Sequence, residues 1–232
     1  MATTKRTSIT QFKNRLSGGG ARPNLFEVNF PGFPAGVNQQ YDSGTAWPGT
    51  LKKDFRFMCK AAQMPGSSVP VVSVPFRGRT LKVAGDRPFD VWTITVINDI
   101  SFDLRNAFEQ WMNGINKHDN ATGVINPTQY QKDAVVYQLG RNTRGSTGSF
   151  PTTIKDATLG AGDKYPVLKK YVFHGLFPTN VSSIELSYDN SDTIEEFTVD
   201  MQVQWWDAYT AENVNLFGTE EEPVQSSDSQ TA

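Results

Sequence analysis

Apolar and polar residues alternate with a period of two in several short stretches of this chain. In Leu25 to Phe30, Phe26, Val28 and Phe30 fall on one face and Glu27 and Asn29 on the other, which predicts a half-buried strand. Phe55 to Ala61 reads the same way, with Phe55, Phe57 and Cys59 on one side. Phe89 to Asn98 is the clearest central strand: Trp92, Ile94 and Val96 face one way, Val91, Thr93, Thr95 and Ile97 the other. Ala134 to Leu139 predicts another strand. Lys169 to Leu176 leads through Phe177-Pro178-Thr179-Asn180 into a further strand, Val181 to Tyr188, closed by a hairpin turn at Asp189-Asn190-Ser191-Asp192. A long last strand begins near Ile194, where Phe197, Val199, Met201, Val203 and Trp205 alternate with Thr198, Asp200, Gln202 and Gln204. After Asp207 the pattern dissolves.

Val69 to Phe76 is β-branched but carries Pro70 and Pro75. Proline has no N–H to give to a ladder, so this segment belongs at an edge or is interrupted. Arg77-Gly78-Arg79 reads as a turn into Thr80 to Ala84, and Gly85-Asp86-Arg87-Pro88 as a second turn.

One segment has a helical period. Ile100, Leu104, Ala107, Phe108, Trp111, Met112 and Ile115 recur at spacings of three and four, with Asp103, Arg105, Asn106, Glu109 and Gln110 opposite. Asp99 or Ser101 is the expected cap at its start, and Gly114 the expected left-handed terminator. The stripe is expected to pack on the sheet. Many short antiparallel strands and a single helix predict a mainly β domain, a sandwich or barrel.

Composition supports a packed core: of 232 residues 38% are hydrophobic, with 15 Phe and 5 Trp. Gly18-Gly19-Gly20 separates a basic leader from the first strand, so residues 1–20 read as a flexible N-terminal arm. The β domain then spans 21–207. Two Gly- and Pro-rich or Gly/Ser/Thr-rich connections, 31–50 and 140–166, are long for loops of a compact domain and read as insertions. Residues 208–232 form an acidic C-terminal tail. Up to Arg22 there are five basic residues and no acidic ones, and from Asp207 onward six acidic residues and no basic ones. The middle is near neutral, without the basic patch that tight nucleic-acid binding needs. Tails of opposite sign could meet between neighbouring copies. No apolar run is long enough to span a bilayer, and none follows the basic leader as a secretory signal would require, so the expectation is a chain made and used in the cytosol, with no stable membrane insertion.

Candidate chemistry is meagre. Cys59 is the one cysteine, in an apolar setting that favours an inert thiol, and with only His118 and His174 beside it no zinc spacing can be assembled. Gly18-Gly19-Gly20 lacks the Lys-Ser/Thr ending of a phosphate loop. No serine stands in a Gly-x-Ser-x-Gly context. Glu195 and Glu196, adjacent on a strand, point to opposite faces and cannot act as a paired acid and base. His174, between Phe173 and Gly175, is expected to be a packed or interface histidine. The residues thus predict no enzyme, no cofactor, and no catalytic or metal site.

Four strings carry a resemblance instead. They are Ala21-Arg22-Pro23-Asn24-Leu25-Phe26-Glu27-Val28; Val83-Ala84-Gly85-Asp86-Arg87-Pro88-Phe89-Asp90-Val91-Trp92-Thr93-Ile94-Thr95-Val96 with Asn98-Asp99 after it; Gly175-Leu176-Phe177-Pro178-Thr179-Asn180-Val181; and Gln204-Trp205-Trp206. In order and rough spacing the chain resembles the tail tube proteins of contractile-tailed, myovirus-type bacteriophages. It departs from them in the two long connections and in the acidic tail. The resemblance implies two packed antiparallel sheets flanked by one α-helix, and hexameric rings that stack into a hollow conduit for the genome inside a contractile sheath. It implies as partners other copies of the chain, the tail sheath, baseplate and tail terminator proteins, the tape measure protein in the lumen, and DNA in transit without sequence-specific binding. The place would be the virion tail, after assembly in the host cytoplasm.

A basic lumen would bind phosphates and retard the genome, so the lumen is expected to be neutral to acidic and free of aromatic platforms. The outward residues of Phe55 to Ala61 and of Ala134 to Leu139 are its candidates, and Val69 to Phe76 is a candidate for the edge that joins subunits. The leader is expected to dock Ile9, Phe12 and Leu16 on a neighbour. Two rival readings remain at this level: the inner tube of a contractile injection device that delivers protein, and a monomeric β-sandwich binding or carbohydrate-active module.

Overall fold

The computed structural model describes residues 9–16, 20–30, 34, 49–141, 167–189, 192–210 and 216. Seven strands form the body: β1 (Phe26–Asn29), β2 (Cys59–Ala62), β5 (Trp92–Ile97), β6 (Lys132–Leu139), β7 (Val167–Val181), β8 (Glu196–Gln202) and β9 (Trp205–Thr210). Two more, β3 (Val71–Phe76) and β4 (Arg79–Ala84), make a separate two-stranded ribbon. All pairings are antiparallel. The body runs in the order β1-β6-β7-β8-β5-β2, with β9 added to β7.

The long strand β7 makes two sheets out of this one path. Its first part, Lys169 to His174, pairs with β9 and, up to Leu176, with β6, forming sheet I with β1. Its last part, Phe177 to Val181, pairs with β8, forming sheet II with β5 and β2. The switch falls at Gly175, whose φ of +65° favours a residue without a Cβ. Apolar residues of both inner faces meet in one core. Trp92 of sheet II stacks on Phe173 of sheet I with ring centroids 4.6 Å apart. The alternation expected for Trp92, Ile94 and Val96 is the buried face of β5.

The helix α3 (Asp103–Ile115) buries Leu104, Ala107, Phe108 and Trp111, as its stripe predicts. Phe108 is the hub, contacting the rings of Phe30, Phe55, Trp111 and Phe197. The expected caps are not used. Phe102 occupies the N-cap in the left-handed region with no side-chain cap, while Ser101 donates to Asp99 instead. Gly114 lies inside the helix, and its carbonyl accepts from Val124 N–H at 3.1 Å. Gly123 allows that approach, because a Cβ there would lie 1.9 Å from the Ile115 carbonyl oxygen.

Three strand expectations are corrected. Phe55 lies in a helix, α2 (Gly49–Met58), and only Cys59 onward is strand. Phe55, Met58 and Cys59 are spaced three and four apart, so a helix buries Phe55 and Cys59, packs Met58 on the core and leaves Phe57 80% exposed. Period two and period 3.6 cannot be told apart over so few residues. Val181 to Tyr188 is not a strand: β7 ends at Val181, and Leu186 and Tyr188 stand in solvent with no face to bury. The last strand breaks after Gln202, and β9 resumes on the other sheet and runs to Thr210, past Asp207. Helices beyond the single expected one are α1 (Ile9–Arg15), α2 and the one-turn α4 (Pro127–Tyr130), in which Asn126 caps Thr128 N–H. The two long connections and the acidic tail lie largely outside the described residues.

Candidate assembly surfaces

Four features stand out. Among the described residues no group of His, Cys, Asp or Glu is arranged to hold a metal, and no helix is long and apolar enough to cross a membrane. Cys59, the first residue of β2 and paired with Val96 of β5, is buried, and burial pushes its thiol up to about 12. A thiol held protonated is a poor nucleophile.

The first feature is the ribbon. Phe76 pairs with Arg79 across the two-residue turn Arg77-Gly78, both at positive φ, as a tight hairpin turn requires. Every residue of β3 and β4 is exposed. The register places Val72, Val74, Phe76, Leu81 and Val83 on one face with Arg79. Its base is anchored where Trp92 Nε1 donates to the Gln63 carbonyl at 2.8 Å and Gly85 N–H to the Pro70 carbonyl at 2.8 Å. A two-stranded ribbon is marginal in water by itself, and an apolar face this continuous calls for a covering surface. The prolines of Val69 to Phe76 do mark an element without a third strand.

The second feature is the contrast between the outward faces. On sheet II the residues facing away from the core include Thr93, Thr95, Thr198, Asp200 and Gln202. Asp200 accepts from Thr93 Oγ1 at 2.7 Å and from Asn180 Nδ2 at 3.1 Å, and these bonds, the Thr93 one first, hold its carboxyl below the usual range. Lys60 is paired with Glu196. Among the described residues of this face an aromatic ring appears only at the corner, where Phe177 packs edge-on to Tyr130. The outward side of sheet I differs: Val135, Tyr137, Lys170, Val172 and Trp205 occupy it, with Lys170 over the Tyr209 ring. The two segments expected to share a lumen, at β2 and β6, thus belong to different sheets.

The third feature is the corner. His174 Nδ1 lies 3.0 Å from Asp133 Oδ2, and Gly175 N–H donates to Asp133 Oδ1 at 3.0 Å. The imidazole stacks on Trp205 at 3.9 Å, and its Nε2 faces Asp207 at 3.6 Å. Burial pushes the Asp133 carboxyl up, but the bonds from His174 and Gly175 and the charges of His174 and Lys132 outweigh it and hold the group low. His174 is packed, as its sequence neighbours suggest, and it ties β6, β7 and β9 together. The two aspartates that hold it came from no sequence signal, because they meet only through strand register.

The fourth feature is the far end of sheet II, where the loop after β5 meets the loop before β8. Asn98 N–H donates to the Glu195 carbonyl at 2.9 Å, Asn98 Nδ2 to Glu195 Oε2 at 3.0 Å, and Arg105 to the Ser182 carbonyl at 3.1 Å. Glu195 lies just before β8 rather than on it, and Glu195 and Glu196 have separate partners, Asn98 and Lys60. Ile9, Phe12 and Leu16 of the leader are exposed on and just after α1.

Comparison with known proteins identifies the fold and the family. A chain of the anti-feeding prophage baseplate, from a six-fold symmetrised cryo-EM structure, superposes with a TM-score of 0.50 at 10% identity, over 83% of this chain and 97% of that one. That likeness is one of fold. The tail tube protein of Serratia phage KSP90 is 25% identical over 199 residues, 84% of this chain and 93% of its own. Tail tube protein gp19 of Enterobacteria phage T4 is 31% identical over 191 residues, 82% of this chain and 93% of gp19. The family model for phage tail tube proteins matches residues 21–209, which takes in all four strings and both sheets. This chain belongs to the phage tail tube protein family.

Proposed function

We propose that this protein is the structural subunit of a contractile phage tail tube, with no catalytic role. The observation that carries the reading beyond family membership is the ribbon: an anchored hairpin whose apolar face has no cover among the described residues. Such a face suits a subunit completed by its neighbours. Copies join into hexameric rings, and the rings stack into a conduit. Ring closure would also protect β2, which ends sheet II among the described residues.

The outward face of sheet II suits the lumen wall. Its threonines, amides and tied carboxylates offer DNA neither a free cationic stripe nor a stacking platform. The aromatic, lysine-bearing outside of sheet I suits contact with protein, which in a contractile tail is the sheath. Terminator and baseplate proteins would meet the tube ends, and the tape measure protein and then DNA would occupy the lumen. The basic leader and the acidic tail, opposite in sign, would add contacts between copies. Assembly in the host cytoplasm and residence in the virion tail follow from this role. Electron microscopy of the purified chain at rising concentration tests the reading: rings or tubes are expected, and a persistent monomer would overturn it.

A further inference from the structure

We infer that the β3–β4 ribbon of one copy seats on the acidic loop end of sheet II in the next copy along the tube. The inference rests on the tube reading and specifies the two surfaces of its repeating contact.

Strand order fixes where these surfaces lie. The ribbon leaves the body after β2 and returns at the start of β5, beside Trp92. Residues 98–102, 182–189 and 192–195 lie at the other end, beyond Ile97 and its partner Glu196. The six residues of β5 separate the two ends by roughly 20 Å. A contact between unlike surfaces at opposite ends is heterologous, so it repeats without closing.

Charge selects the pairing. Between Gln63 and Gly85 the chain carries Arg77, Arg79 and Lys82 and no acidic residue. The loop end carries Asp99, Asp103, Glu185, Asp189, Asp192 and Glu195 against one nearby cation, Arg105, which Glu109 and the Ser182 carbonyl already engage. Apolar surface is complementary as well. The ribbon offers Val72, Val74, Phe76, Leu81 and Val83, and the loop end offers Ile100, Leu186, Tyr188 and Ile194, all exposed.

Paired charge reversals test the contact in the full-length chain. One variant reverses the ribbon tip (Arg77→Asp with Arg79→Glu), and Asp-Gly remains a favoured hairpin turn. The other reverses the loop end (Glu185→Lys with Asp189→Lys) at exposed positions. Each alone is expected to raise the protein concentration for half-maximal tube formation about tenfold or more. Mixed in equal amounts, each tip meets a loop end of opposite sign, and tubes should return. If the wild-type chain forms no tubes, the tube reading itself fails. If wild-type tubes form, variants that assemble equally well, or a mixture no better than its separate components, would overturn the seating.

Discussion

Gly175 and Gln204 touch where β7 passes from sheet I to sheet II: a Cβ on Gly175 would stand 2.6 Å from Gln204 Cγ. The contact joins the third and fourth of the colinear strings, which are far apart in sequence. Gln204 N–H also donates to the His174 carbonyl at 3.1 Å, so the break between β8 and β9 is fastened to the switch in β7. Gly175→Ala meets both a positive φ and this close approach. A loss of about 2 kcal/mol is expected, seen as a lower midpoint in urea or heat. An unchanged midpoint would show that the corner can relax.

Asp133 gives the corner a pH dependence of known sign. Its carboxyl titrates below the ordinary 3.8 in the folded chain. The stabilisation is therefore present above that value and fades as pH falls through the lower folded value. Asp133→Asn should cost on the order of 1 kcal/mol at neutral pH, a modest figure for a half-exposed site. The gap between variant and wild type should narrow below pH 3.8. Parallel curves across that window would place the acid sensitivity elsewhere.

Phe108 should be the costliest single truncation. It is fully buried and meets four aromatic rings from α2, α3, β8 and the segment after β1. Phe108→Ala removes the ring and leaves a cavity between helices and sheets, with an expected cost of about 3–5 kcal/mol. Calorimetry of the purified chain measures it. A cost below about 1 kcal/mol would mean that the cluster collapses to fill the space.

The lumen assignment makes a prediction about transport. Thr95 and Thr198 are cross-strand partners on the outward face of sheet II. Thr95→Lys with Thr198→Lys would line the conduit with cations in every copy. Tubes should still form, while genome delivery slows through phosphate binding. Ejection at the wild-type rate from tubes carrying both lysines would remove this face from the lumen.

The residues by themselves determined the β-rich class, the buried face of β5, the stripe of α3 and the turn at Arg77-Gly78. Each depends on neighbours within one element, where period and turn chemistry act. The colinear strings likewise identified the family before any contact was known. Phe55 shows the limit: its neighbours suit either a helix or a strand, and only packing against Phe30 and Phe108 selects the helix. Tertiary structure alone decided that β7 serves two sheets, that the closing alternation divides between them, and that Asp133, His174 and Asp207 converge. Those facts arise from pairing between distant segments, and a strand's alternation shows which side chains share a face without showing which strand lies beside it. The same holds for the ribbon. Its prolines announced an edge in the sequence, but its bare apolar face and its place opposite the acidic loops appear only once the strands are ordered.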